Sequence, residues 1–207
     1  MVMRKERLET IAGWIAVVLM ALQLLLILLS WILDASSSSP TVNSLLSEEG
    51  IRWFIGQYTF FLTTPVLLWL LLLSIAWGSY RESGMGTVIR MMTHRKKVSF
   101  RQRFSLRVSL IICLLLIMLV VLLTAVPHAI LLSSTGHLFP SSFSKAIIPI
   151  IAFIITVVSV CYAMMIGKVK TVGALMHTLT VGIADALPLF IIYIFAMQLV
   201  QSIIFVF

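Results

Sequence analysis

RESGMGTVIRMMTHRKKVSFRQRFSLR, residues 81–107, is the stretch that decides how the chain is organised. It holds eight of the fifteen Lys and Arg residues and a single acid, Glu82. Apolar runs long enough to cross a bilayer flank it on both sides. Such a cluster within reach of two spans is retained on the cytoplasmic face, because moving several cations through hydrocarbon is costly. Arg95, Lys96, Lys97, Arg101, Arg103 and Arg107 are the expected orientation anchor, and every other span is counted from them.

Composition agrees with a membrane solvent. The 207 residues are 61% hydrophobic and 11% charged, with a mean hydropathy of +1.14. Soluble domains carry about 25% charged residues. The formal charge of +8 sits beside apolar runs without an aromatic-interleaved groove, which fits orientation and anionic headgroups and gives no reason to expect nucleic acid. Cys113 and Cys161 fall inside apolar runs without metal-type spacing and read as packing residues. The run from Ile11 to Leu33 is too long for a cleaved signal and, as a helix, covers about 34 Å.

Working outward, the alternation of spans puts the N-terminus inside. A first span covers about Ile11 to Leu33, with Trp14 and Trp31 near its ends. After a polar turn with Ser36 to Ser39 and Pro40, Asn43 or Ser44 is placed to cap a short interfacial elbow containing Glu48, Glu49, Arg52, Trp53 and Phe54. A second span covers about Phe60 to Trp77, with Pro65 in its first half. Within the connector, Val88 to Met92 suits one short surface turn. A third span, about Val108 to Val126, ends at Pro127 and leads into an outer loop rich in serine. A fourth, Ala146 to about Ile166, has Pro149 placed in its first turn, where a missing N–H costs little. Beyond Gly173 the mixed polarity reads as a re-entrant or surface helix, followed by a broken fifth span from Leu189 to Phe207. The expected fold is therefore all-α and integral to the membrane, with about five transmembrane or partly re-entrant helices and an interfacial elbow. Residues 1–207 form one membrane domain: a first helix pair with the elbow (1–80), the basic connector (81–107), and a second pair with a broken terminal segment (108–207).

Two features carry functional expectations. Ala152, Thr156, Ser159, Ala163 and Gly167 recur every three or four residues, a stripe that lets another backbone approach closely, within the subunit or between subunits. Asp185 is the only acid after Glu82. At membrane depth it would mark a proton or cation site, with Gln198 and Gln201 as polar companions on the same run. At headgroup depth it would be solvated or paired with Lys168 or Lys170. No triad, phosphate loop or His-x-x-x-His pair is present, so neither enzymatic activity nor a metal or cofactor is expected. His94, His128, His137 and His177 are scattered.

Three blocks, SLLSEEGIRWF (44–54), SFRQRFSLR (99–107) and PSSFSKAIIPI (140–150), resemble in order an elbow, a charged helix lead-in and an outer loop of the AbgT (p-aminobenzoyl-glutamate) transporter family. Tyr162 to Gln198 is similar to the stretch that follows. The resemblance implies an AbgT-like scaffold in a bacterial cytoplasmic (inner) membrane, in a family whose members are longer, form dimers and carry aminobenzoyl-glutamate or sulfonamide-like compounds on ion gradients. Where those members have further helices and a hairpin, this chain has a dozen residues between Gly86 and Ser99, and it stops at Phe207 before a second hairpin. It implies a scaffold reduced to framework helices, associating with itself or another membrane protein. The alternative is a small oligomeric transporter.

Overall fold

A computed structural model describes residues 2–36, 43–94, 98–125 and 142–207. The described residues are helical, without a strand, in seven elements: α1 (Val2–Ser36), α2 (Glu48–Leu62), α3 (Pro65–Ser83), α4 (Met85–Thr93), α5 (Phe100–Ala125), α6 (Ser142–Ile166) and α7 (Val172–Val206). Four stretches are long and apolar enough to cross a membrane, namely Glu9–Ser36, Phe100–Thr124, Ala146–Ile166 and Val172–Val206. The bent pair α2 and α3 adds a fifth if it is one span. In hydrocarbon every backbone N–H and C=O must be satisfied internally, and helices do so within one segment.

Several local expectations change. The elbow and the second span meet at Thr63 and Thr64, not near Phe60, and their axes differ by about 40°. The cause is Pro65, which disfavours helical geometry at Thr64 and opens α3 with its absent N–H at the first position. Thr63 closes α2 by donating from both its N–H and its hydroxyl to the Phe60 carbonyl. The cap of α2 is Ser47, whose Oγ accepts from the Gly50 N–H, not Asn43 or Ser44. The short turn expected at Val88 to Met92 is a nine-residue helix, α4. Pro149 lies inside α6, beyond its first turn. The expected surface segment and broken fifth span are a single 35-residue helix, α7, with Pro188 inside it. Thr178 and Thr180 return their hydroxyls to the Ala174 and Met176 carbonyls, so these polar residues fit within the helix. Pro188 removes one ladder bond, to the Ala184 carbonyl, which membrane helices tolerate. Arg95, Lys96, Lys97, His128, His137 and the serine-rich outer loop up to Ser141 lie outside the described residues.

The chain forms two compact units, Met1–Leu68 with Ala186–Phe207, and Trp69–Asp185. In the first, the segment before α2 is pinned from two directions. Asn43 donates its backbone N–H to the Val206 carbonyl (3.2 Å) and its Nδ2 to the Phe205 carbonyl (3.0 Å), closing the C-terminal end of α7. Ser30 of α1 accepts the Leu45 N–H and donates to its own Ile27 carbonyl. Trp53 lies between Phe61 and Phe205, with ring centroids 4.7 and 4.2 Å away. Inside the spans Gln23 donates to the Ser202 hydroxyl, and Thr64 is hydrogen-bonded to the Tyr193 hydroxyl.

In the second unit, α5 packs along α6 and α4 folds against α6. Tyr162, fully buried, joins Val88 and Val98, with Met85, Leu106 and Ile166 packed around them. Burying Val88 gives the short α4 its anchor, since an isolated nine-residue helix is marginal in water. Gly84, at φ 74°, supplies the left-handed residue between α3 and α4.

Replacing Asn43 with alanine removes one of its two bonds to the end of α7. We expect a loss of about 1 kcal/mol, read as a lower unfolding midpoint in detergent. Asn43→Ala as stable as wild type would show that the side-chain bond to Phe205 adds nothing.

Candidate functional site

Short side chains build the contact between α3 and α7 in the second unit. The buried residues of α3 are all small: Ser74, Ala76, Gly78, Ser79 and Ser83. Gly78 faces Gly182 so closely that a Cβ on either would overlap the other's backbone, and one on Gly182 would also strike the Ser74 carbonyl. Farther along α3, Glu82 shares a cavity with His177 and Thr178, so the two helices run antiparallel here. Without a hydrophobic drive between helices in lipid, van der Waals contact of this closeness is what association rests on.

Just past the glycines, Arg81 donates to the Asp185 carboxylate at 2.5 Å, with side chains 45% and 30% exposed. The pairing expected with Lys168 or Lys170 is made by Arg81 instead. Lys168 donates to the Glu82 backbone carbonyl at 3.0 Å, while Lys170 is exposed. At this exposure the ion pair contributes at most about 1 kcal/mol. Its larger consequence is that the charge on Asp185 is met by a guanidinium.

The Glu82, Lys168 and His177 cavity also touches Ala163 and Thr178 and measures about 220 Å³. Ligand pockets commonly run from about 300 to 1,000 Å³, so this is room for waters or part of a headgroup. A second hollow, about 300 Å³ and open, lies between α5 and α6 beside Pro149, and its lining is wholly apolar: Leu116, Leu119, Val120, Ile150, Phe153 and Ile154. It offers no polar group to orient a charged solute. Among the described residues no group of three or more His, Cys, Asp or Glu could hold a metal.

The other singled-out residues separate clearly. Ala152, Ser159 and Ala163 are buried within the chain, and Thr156 and Gly167 are half-buried. This is the face α6 turns inward. Gly167, at φ 84°, ends α6, and the Lys168 N–H returns to the Ala163 carbonyl. Gln198 and Gln201 are half-buried in the first unit, whereas Asp185 belongs to the second. The described anchors Arg101, Arg103 and Arg107 are all exposed, and Arg101 donates Nε to the Met165 carbonyl at 3.0 Å. Sequence reasoning did not pick out Gly78, Gly182, Arg81 as the partner of Asp185, or the Gln23–Ser202 pair. A lone glycine inside each of two spans was the available signal for the crossing.

These features define an all-helical protein with several helices able to cross a membrane. Comparison with protein-family models, curated proteins and solved structures found no match.

Gly182→Ala and Gly78→Ala should each destabilise the protein by about 1–3 kcal/mol, because the backbones must separate. Gly173→Ala, whose Cβ would meet only Thr171 Oγ1 at 4.0 Å, should be neutral or slightly stabilising. Unfolding midpoints in detergent micelles test this; equal effects at all three positions would remove the crossing from the account.

Proposed function

We propose that the chain is an integral protein of a bacterial cytoplasmic membrane, N-terminus inside, serving as a helical framework that associates with itself or another membrane protein in a structural or regulatory role. The observation that carries this reading is the meeting of Asp185 with Arg81. The one acid that the sequence offers as an ion site is matched by a cation. Two further observations support it: the small volume of the polar cavity, and the wholly apolar lining of the α5–α6 hollow. A carrier for a charged solute requires polar groups converging on one space. Likeness to AbgT carriers rests on the three sequence blocks and is not needed for the framework reading.

The second reading, a small oligomeric transporter of aminobenzoyl-glutamate or sulfonamide-like compounds, makes Asp185 part of a path. Proteoliposomes distinguish the two. We expect neither aminobenzoyl-glutamate nor a sulfonamide to cross faster than in empty liposomes under a proton or sodium gradient, with the protein shown to be folded. Gradient-dependent flux that Asp185→Asn abolishes would overturn the framework proposal.

A further inference from the structure

Phe100, Arg103, Phe104 and Arg107 fall at positions i, i+3, i+4 and i+7 of α5, which places them on one helical face. All four are exposed, Phe100 at 85% and Phe104 at 53%. The two rings stack against each other, with centroids 6.5 Å apart and planes 18° apart. On the opposite side of the same turns Ser105 and Ser109 are buried, and Arg101 is occupied with the Met165 carbonyl. Among the described residues neither Arg103 nor Arg107 makes an ion pair. Exposed cations flanking a span are what the positive-inside rule expects; here two of them share one helical face with an exposed aromatic pair.

The same face continues along α5 as Leu110, Ile111, Leu114, Met118, Val121 and Leu122, all exposed. One stripe thus runs from two guanidiniums about one helical turn apart, through a stacked aromatic pair, into an unbroken apolar track. We propose that this stripe is a binding site for an anionic phospholipid, its headgroup phosphate held by Arg103 and Arg107 and an acyl chain lying along the leucine track. Guanidinium forks suit phosphate oxygens, and aromatic rings settle at headgroup depth. Each arginine near an anionic surface strengthens association with it roughly fivefold. Charge complementarity selects this occupant over a zwitterionic lipid or a second copy of the chain, which would bring four unpaired guanidiniums together. The inference rests on the chain being integral to a membrane and is independent of whether it acts as framework or carrier.

The test uses the full chain in neutral detergent, following thermal unfolding with dioleoylphosphatidylglycerol or dioleoylphosphatidylcholine added. A lipid that binds only the folded state raises the midpoint. We expect phosphatidylglycerol to raise it about 3–5 °C more than phosphatidylcholine does. Arg103→Gln with Arg107→Gln should remove that difference, while Arg103→Lys with Arg107→Lys should keep most of it. Arg52→Gln, whose cation is already paired with Glu48, should keep all of it. The difference should also shrink at about 1 M salt, where screening reaches about 3 Å, so the proposal stays testable in wild type if the glutamine variant folds poorly. Equal shifts with the two lipids, or an unchanged preference in a folded glutamine variant, would overturn the site. A lipid-independent dimer that the glutamine substitutions dissociate would assign the face to a second copy instead. Recovery of wild type in the supernatant after alkaline carbonate extraction of membranes would overturn the membrane reading itself.

Discussion

The approach of Gly78 to Gly182 is the constraint around which the second unit is arranged. Apolar side chains gain little by leaving lipid for one another, so helices in a membrane are held by contact area and by the few polar bonds they share. Contact area rises as backbones draw together, and only residues with little or no side chain permit that. The buried face of α3 obeys this without exception: serine, alanine, glycine, serine, serine. The same logic gives α5 its buried Ser105 and Ser109 and α6 its Ala152, Ser159 and Ala163. Many large apolar side chains are left on the exposed surfaces, although Leu45, Phe61 and Tyr162 are buried.

Cations divide by the job they do. Arg81, Arg101 and Lys168 donate to the Asp185 carboxylate and to the Met165 and Glu82 carbonyls, respectively. Met165 lies in the last turn of α6, where carbonyls lack helical partners and the helix dipole is negative. Arg101 therefore satisfies a backbone group and an electrostatic field together. Arg103 and Arg107 do neither, although they stand two and six residues farther along the same helix. A count of positive charge treats all of these residues alike; their directions separate structural staples from groups left to meet the lipid.

Much of the helical layout was legible in the sequence, because span length and hydropathy are one-dimensional properties. The stretch Ala146–Ile166 coincides with the expected fourth span, and the three-to-four-residue recurrence from Ala152 to Gly167 identified the inward face of α6. What was missed depended on three-dimensional choices. The mixed polarity beyond Gly173 suggests a separate surface or re-entrant helix before Leu189, yet the polar residues and Pro188 are carried within one 35-residue helix. Asn43 and Ser44 are both suited to cap the helix that follows, but the Asn43 amide reaches the Phe205 carbonyl 162 residues away. For Asp185 the sequence leaves open an ion site, solvation or a pairing with Lys168 or Lys170, whereas in the fold Arg81 donates to it close to the glycine crossing. Each miss concerns a partner chosen by tertiary contact among several that local sequence allowed.

The placement of polar side chains bears on what the helices can offer a solute. Thr10, Thr124, Thr156, Thr178 and Thr180 return their hydroxyls to carbonyls of their own helices. Groups engaged in that way offer little to a passing solute, since each new bond would replace one already made. Gln23 differs, because its amide nitrogen bonds Ser202 across helices while its buried Oε1 has no partner among the described residues. An unsatisfied amide oxygen inside an apolar bundle costs on the order of 1–3 kcal/mol. The donor side of the amide is satisfied by the bond to Ser202, which ties α1 to α7. A polar pair of this kind fixes the register of the two helices it joins.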